Sequence, residues 1–342
     1  MKKAARKPQE RSKIMAKYTS IGGQALIEGI MMKSPEKTAL AVRMPNKEID
    51  ISYFDEKSIK EKYKILGLPI IRGVVGFVES MIQGYKAMMI SADKSGFTDF
   101  EEEEAEEKMS EEKKNLFVSI IMVIGVVLGV ALAVVLFMLL PRLVVSGLRW
   151  IFQTDFSPVV RSSIEQLIKL SVFVLYVWLV SFMKDIKRVF MYHGAEHKTI
   201  FCYEKGLELT VENVRQQKRF HPRCGTSFMI LMILISIIFS TVVQLIFPSV
   251  YNIYWLWVAV KILLVPIVCG AGYEVLKICG RYDNIITKII SAPGLWLQRI
   301  TTCEPEDDMI EIAIAALKAC EPENPDVDRS IDKKEENTND NI

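Results

Sequence analysis

Long apolar runs dominate the hydropathy pattern of this 342-residue chain, in place of the short alternating stretches that are typical of a soluble domain. Four of these runs are long enough to cross a bilayer as helices, at residues 116–140, 164–183, 228–247 and 254–276. We expect the first helix to end at Pro141 and the fourth to kink at Pro266. The pattern predicts a mainly α fold, a polytopic α-helical membrane protein with about four transmembrane helices.

The segments that flank these runs predict smaller elements. Residues 39–43 and 49–54 have the β-prone composition of short strands joined by a turn, and the glycine-rich run at residues 22–29 indicates tight packing or turns. That run lacks the Lys-Ser or Lys-Thr that follows a phosphate-binding loop, so we do not expect it to bind phosphate. Glu28 is its only acid and could reach a site elsewhere in the fold.

Residues 65–92 are apolar except for Arg72, Glu79 and Lys86, which recur every seven residues and predict an amphipathic helix at the membrane interface or packed against the spans. The predicted organisation is as follows: a disordered basic tail (1–17), a small cytoplasmic β unit (18–60), the amphipathic helix (65–92), an acidic linker (93–115), the four-helix transmembrane region (116–292) with a histidine loop (184–227), cytoplasmic C-terminal helices (293–320) and a disordered tail (321–342). In the C-terminal part we expect a short interfacial helix at residues 292–299. We also expect the β unit and a helix at residues 305–317 to pack together against the histidine loop, since neither piece is large enough to bury a core alone.

Charge sets the expected orientation. Nine lysines and arginines lie in the loop at 184–227, while the two loops on the other side carry three and none. The positive-inside rule therefore predicts that both termini and the histidine loop face the cytoplasm. The net charge of +2 gives no reason to expect nucleic-acid binding, so the bilayer is the expected partner. Six cysteines without paired spacing indicate reduced thiols, and the polar first 20 residues are not typical of a cleavable signal peptide.

The three histidines of the chain, with neighbouring residues, form a candidate metal site. His193, Glu196 and His197 spell H-x-x-E-H, and on a helix that continues from the second span the two imidazoles would share one face. Glu196 borders that face, where it could act as the general base of a zinc hydrolase. His221-Pro-Arg-Cys224-Gly225 has the outline of a zinc knuckle with histidine in place of its first cysteine. The donor types suit zinc, with His193, His197, His221 and Cys224 as predicted ligands. The alternative is that these are polar residues of a membrane-proximal helix.

Several motifs together resemble the YqhQ-like family of bacterial inner-membrane proteins. They are GGQALIEGIMM, HGAEHKTIFCYE, HPRCGTSF, APGLWLQRITT and EPEDDMIEIAIAAL, and the resemblance covers about residues 18–320. That family is a domain of unknown function, described as predicted metal-dependent enzymes. The resemblance implies location in the bacterial cytoplasmic membrane and metal binding, and supplies neither a reaction nor a substrate.

Two functions remain open at this stage. If three protein residues bind the zinc ion, one coordination position stays free, and the chain would be a metal-dependent hydrolase with Glu196 as its general base. If four residues bind it, the zinc ion would be structural, and the chain would be a membrane scaffold or an accessory subunit of a membrane complex. Four carboxylates near the C-terminus could complete the metal site: Glu304, Asp307, Asp308 and Glu311. For the first three of these, helix capping is the more ordinary role. A transporter is a third reading, disfavoured because spans one and three lack ionisable residues; Lys261 in span four is expected to snorkel to the outer interface.

Overall fold

The structure, a computed structural model, describes residues 19–54, 59, 63–97, 111–282 and 284–323. Its strands are β1 (Gly22–Leu26), β2 (Gly29–Lys33), β3 (Thr38–Arg43) and β4 (Ile49–Phe54). Its helices are α1 (Ile71–Lys94), α2 (Glu111–Val134), α3 (Leu140–Phe152), α4 (Pro158–Val180), α5 (Lys184–Glu204), α6 (Val211–Arg215), α7 (Gly225–Ile246), α8 (Pro248–Asn252), α9 (Tyr254–Arg281), α10 (Ile285–Thr301) and α11 (Asp307–Cys320). A 3-10 turn (Lys64–Gly67) precedes α1, and a π-helical turn (Val135–Leu139) joins α2 to α3. The predicted tail 1–17, nearly all of the tail 321–342 and residues 98–110 of the acidic linker lie outside the described residues.

The four strands form one antiparallel sheet in the order β1-β2-β3-β4. Residues 22–29 form β1, a tight turn and the start of β2, so the run contains the turn and the tight glycine packing that were expected, within strands that were not predicted there. Leu26 pairs with Gly29 across a two-residue turn in which Glu28 takes a left-handed φ of 50°. The small residues in this run obscure the alternation of apolar and polar positions that predicts a strand. A glycine is required at position 29 because a Cβ there would lie 2.8 Å from the carbonyl oxygen of Ala41.

Both faces of the sheet are covered by helices. Ile30 and Met32 of β2 point into a core with Ala195 of α5 and with Met309 and Ile312 of α11. The opposite face packs on Ala87 of α1 through a smaller cluster: Leu26, Met31, Leu40 and Val42. The N-terminal sheet and the C-terminal helix therefore share one core with the histidine helix, as their sizes predicted.

Within the described residues, four helical stretches are long and apolar enough to cross a membrane: Val123–Phe152, Val159–Val180, Gly225–Ile246 and Trp255–Cys279. The first does not end at Pro141 as expected but continues to Phe152. In a regular α-helix the ring of Pro141 would clash with the carbonyl group of Phe137, four residues earlier. Phe137 lies in the π-helical turn, which is wider than an α-helical turn. The proline is thereby accommodated inside one long helix.

The expected continuity between the second span and the histidine helix is absent. Helix α4 ends at Val180, and Met183 is extended with φ −68° and ψ 133°, so α5 is a separate helix. The predicted boundary at residues 292/293 is also wrong, because α10 already begins at Ile285 and contains Pro293. Between the third and fourth apolar helices lies the short helix α8.

Helix α1 packs against α9, the fourth apolar helix. A Cβ on Gly73 would lie 2.8 Å from the Cβ of Tyr273 and 3.0 Å from the Cα of Gly270, so the two backbones are in close contact. Beside this contact Arg72 donates two hydrogen bonds to the carboxylate of Glu274, from Nε at 2.7 Å and from Nη2 at 2.5 Å. The structure therefore favours the packed alternative for this amphipathic helix.

Candidate metal centre

Helix α5 and the start of α7 bring three metal-binding side chains together. His193 and His197 lie one turn apart on α5 with ring centroids 4.3 Å apart. Cys224 is the N-terminal cap of α7, where its Sγ accepts a hydrogen bond from the backbone N–H of Thr226 at 3.4 Å. The His193 Nε2 atom lies 3.1 Å from this Sγ. One ligand atom from each of the three residues lies within 4.8 Å of the other two.

Two backbone carbonyl groups orient the imidazole rings. The Nδ1 of His193 lies 2.8 Å from the carbonyl oxygen of Thr301, and the Nδ1 of His197 lies 2.5 Å from that of Arg219. A carbonyl oxygen only accepts, so each Nδ1 carries a proton and donates it. The Nε2 of His197 is buried without a hydrogen-bond partner among the described groups. Zinc-bound histidines are held in this way, with the far ring N–H fixed by an acceptor.

The cluster stabilises a thiolate. Burial alone would raise the pKa of the Cys224 thiol, but the adjacent His193 and His197 hold that pKa well below its usual value. Burial opposes a charge on His193, yet Cys224 beside it raises the pKa of His193 to about 9. The thiolate is the form of cysteine that binds a metal, whereas His193 must release its Nε2 proton to do so.

Glu196 lies beside the cluster under strand β1. Its side chain is 5% exposed, and the backbone N–H of Gly23 donates a hydrogen bond to its carboxylate. Burial raises the pKa of Glu196, against the opposing effect of His193 and His197. A Cβ on Gly23 would lie 2.9 Å from the Cδ of Glu196, so this glycine lets the strand cover the carboxyl group. The sequence showed both residues but not the contact between them.

His221 is the predicted ligand that lies outside the cluster. Its Nδ1 accepts a hydrogen bond from the backbone N–H of Arg223 at 3.3 Å, and its Nε2 faces the carboxylate of Glu204 at 3.7 Å. Burial lowers the pKa of His221. Its backbone is clamped by the fully buried Gln298, which accepts from the N–H at 2.8 Å and donates to the carbonyl oxygen at 2.7 Å. The structure thus unites three of the four predicted ligands and directs the fourth to Glu204.

The residues that support the cluster were not among those predicted from the sequence. Gln298 also donates to the Ser227 hydroxyl at 2.9 Å, and a Cβ on Gly294 would lie 2.5 Å from that hydroxyl oxygen. Gln298 and Gly294 both belong to the APGLWLQRITT motif, and this motif was the sequence signal that could have indicated their role. Helix α10 therefore packs closely on α7 next to Cys224 and supplies the Thr301 carbonyl group that orients His193.

The C-terminal carboxylates make contacts away from the cluster. Glu304 pairs with Lys198 rather than capping a helix, and lies 3.8 Å from Arg219. Asp307 lies in the first turn of α11 and pairs with Arg215. The remaining pair joins Glu311 to Arg43 at 3.2 Å.

Glu28, expected to reach a site elsewhere, binds helix α5. Arg188 donates to both of its carboxylate oxygens, at 2.5 and 2.7 Å, and the Tyr192 hydroxyl donates to one of them at 3.0 Å. This group of three residues ties the β1–β2 turn to the helix that carries the histidines. It stabilises the position of the sheet over the cluster.

Fold and site together define a mainly helical protein with four apolar helices of membrane-spanning length and a buried His-His-Cys cluster covered by a small sheet. Residues 68–323 match the family model described as "Protein of unknown function (DUF1385)", and the chain belongs to this family. The chain is also 36% identical over 299 residues to the "Uncharacterized protein YqhQ" of Bacillus subtilis (strain 168), which covers 86% of this chain and 90% of that protein. The resemblance to the YqhQ-like family is thereby confirmed. No solved structure matches the chain.

Proposed function

We propose that this chain is a multi-pass membrane protein that binds one zinc ion through His193 Nε2, His197 Nε2 and Cys224 Sγ and uses it for a hydrolytic reaction. The observation that carries the proposal is the orientation of the two imidazole rings. Each ring donates from Nδ1 to a backbone carbonyl oxygen, which leaves both Nε2 atoms available as metal ligands, and the Nε2 of His193 lies 3.1 Å from the Sγ of Cys224. A metal ion satisfies three such donors at once, including the buried Nε2 of His197.

The donor set supports zinc among the common metals. Two imidazole nitrogens and one thiolate suit zinc, while magnesium and calcium prefer oxygen ligands. Three protein ligands are the usual number in catalytic zinc sites, because the tetrahedron then keeps one position for water or substrate. When bound there, zinc supplies Lewis-acid chemistry. The position of His221 against Glu204 is what leaves the set at three.

Glu196 is the proposed general base. Its carboxyl group is buried next to the three ligands, and burial raises its pKa, which is the direction that increases the basicity of a general base. In the proposed reaction the carboxylate takes a proton from the attacking water. The Gly23 N–H donates a hydrogen bond to the carboxylate and holds it in place.

A structural zinc site is the second candidate, and burial is the observation that favours it. The exposed fractions of His193, Glu196, His197 and Cys224 are 9%, 5%, 1% and 7%. A site this enclosed would join α5 to the start of α7, with the chain serving as a scaffold or as an accessory subunit of a membrane complex. In this role Glu196 has no proton to move.

Metal analysis of the purified full-length protein tests the site, and X-ray absorption then separates the two candidates. The proposal expects one zinc per chain, with one sulfur, two imidazoles and one further light-atom ligand. Three imidazoles would indicate that His221 closes the shell and that the site is structural. Protein that purifies without metal, and whose melting temperature responds neither to zinc nor to a chelator, would refute the metal site itself.

The Glu196→Gln variant tests the base. A panel of chromogenic esters, amides and phosphoesters serves as the probe, with Glu212→Gln, an exposed change on α6, as the matched control. The proposal expects Glu196→Gln to keep zinc and melting temperature while any hydrolysis falls by about 100-fold or more, the usual contribution of a general base. Equal hydrolysis by Glu196→Gln and Glu212→Gln would contradict the catalytic role.

A further inference from the structure

A cavity of about 380 Å³ lies between three of the four apolar helices. Its walls come from the region where the π-turn meets α3, from the first half of α4 and from the first half of α9. Helix α4 passes the cavity near its beginning and ends at Val180, directly before the helix that carries the histidines. The cavity therefore lies toward the end of the helices that is remote from the His-His-Cys cluster.

The lining of this cavity is strongly basic. Among the lining residues, a single carboxylate, Glu165, faces four cationic side chains: Arg142, Arg161, Lys169 and Lys261. The Nε of Arg161 lies 3.4 Å from Glu165, and the Nζ of Lys261 lies 5.1 Å from the centroid of the Trp257 ring. Lys261, which was expected to snorkel to the outer interface, thus lines a cavity that it shares with Lys169.

Positive charge among membrane-spanning helices is costly and usually marks a functional site. An anionic group that enters the cavity offsets this cost, and arginine in particular matches the oxygens of a phosphate group. The lining also contains apolar side chains, which are those of Met138, Val258, Ile262 and Val265. A ligand that fits both kinds of side chain carries an anionic head and a hydrocarbon portion.

We propose that this cavity binds the phosphate-bearing headgroup of an anionic membrane lipid, with the acyl chains lying along the apolar side chains between the helices. The volume matches a headgroup and the first part of the chains rather than a whole lipid. The proposal rests on the insertion of the four helices into a membrane and is independent of the metal site. Free inorganic phosphate shares the anionic chemistry but leaves the apolar side chains without a partner.

Native mass spectrometry of the full-length protein in detergent tests the proposal. The probes are phosphatidylglycerol, phosphatidylcholine and inorganic phosphate, each added at the same concentration to delipidated protein, with thermal stability measured in parallel. We expect one phosphatidylglycerol molecule to be retained and to raise the melting temperature, whereas phosphatidylcholine and inorganic phosphate leave it unchanged. Equal retention of the two lipids, or equal stabilisation by inorganic phosphate, would overturn the proposal.

Lysine variants locate the site. Lys169→Gln and Lys261→Gln should each weaken phosphatidylglycerol retention by roughly tenfold, since each removes a charge-assisted hydrogen bond. The matched control is Lys277→Gln, which removes one charge from the other end of α9. Lys261→Arg keeps the charge and should retain the lipid if the Gln variants fold poorly. The assignment to this cavity would be overturned if Lys169→Gln and Lys261→Gln both retained phosphatidylglycerol as well as Lys277→Gln does. It would also be overturned if Lys277→Gln lost the lipid to the same extent as they do.

Discussion

Gly194 lies directly beneath the carbonyl oxygen of Cys303, so close that a Cβ on this glycine would lie 2.0 Å from that oxygen. In the same contact the N–H of Cys303 donates to the carbonyl oxygen of Phe190 at 2.8 Å. The segment that follows α10 therefore packs against the backbone of α5 next to His193. This explains a glycine in the middle of the H-x-x-E-H helix, where its intrinsic cost would otherwise be unfavourable.

The Gly194→Ala variant should separate these two backbones. The added methyl group pushes residues 301–303 away from α5 and takes the Thr301 carbonyl group from the Nδ1 of His193. We expect the free energy of unfolding to fall by about 1–3 kcal/mol, as overpacking does elsewhere, together with weaker zinc retention. Thermal unfolding and metal content are the measurements. Gly147→Ala is the control, because a Cβ there meets nothing within 4 Å; a Gly194→Ala protein as stable as this control would contradict the contact.

Alanine variants of the histidines should divide into two classes. His193→Ala and His197→Ala remove donors of the three-ligand set and should reduce zinc from about one ion per chain to near zero, because neither has a replacement in the cluster. His221→Ala should retain zinc, although loss of the Glu204 contact lowers stability. Mass spectrometric metal analysis distinguishes them, with the buried Cys320→Ser as a control for a cysteine outside the set. If His221→Ala lost zinc as completely as His197→Ala, the result would support the site with four protein ligands.

The contact between Glu28 and Arg188 should make stability depend on acid pH. Burial opposes the charge of Glu28, but the Arg188 guanidinium and the Tyr192 hydroxyl hold the pKa of this carboxyl below its usual value. A lowered folded-state pKa contributes stability above the unfolded carboxyl value of about 4.3, and this contribution is lost as the pH falls through the folded pKa.

Unfolding of the wild type and Glu28→Gln between pH 7 and pH 3 measures this effect. We expect the wild type to be more stable by about 1 kcal/mol at pH 7, discounted for the partly exposed Arg188, and the difference to shrink as the pH falls toward 3. Glu48→Gln, in the exposed turn between β3 and β4, should change neither value. A difference between wild type and Glu28→Gln that is constant across this range would contradict the assignment.

Orientation of the chain in the membrane is testable by cysteine labelling from outside intact cells. The basic loop at 184–227 predicts that a cysteine placed at Ser249, in the short helix between the third and fourth spans, is labelled and that one placed at Gly206 is not. A background without native cysteines is needed, except that Cys224 is kept. The reverse labelling pattern would place the His-His-Cys cluster on the outer face.

The sequence predicted the elements whose signal is local. Long apolar runs marked the four apolar helices, and the i, i+4 spacing of His193 and His197 marked one face of a helix, because both patterns depend only on neighbours along the chain. The strands β1 and β2 were not predictable in this way, since their glycines are explained by contacts with Glu196 and Ala41, which lie elsewhere in the sequence. The position of His221 likewise depends on Glu204 and Gln298, and no spacing rule encodes that competition.

The shared core of the N-terminal sheet and helix α11 sets the order in which the protein can be completed. The ribosome makes the strands first and α11 last, and all four apolar helices are synthesised in between. At about 5–20 residues per second, the face of β2 that carries Ile30 and Met32 waits for α11 for tens of seconds after it is made. A chain truncated before Asp307 would contain every proposed zinc ligand and still lack the helix that closes the core behind them.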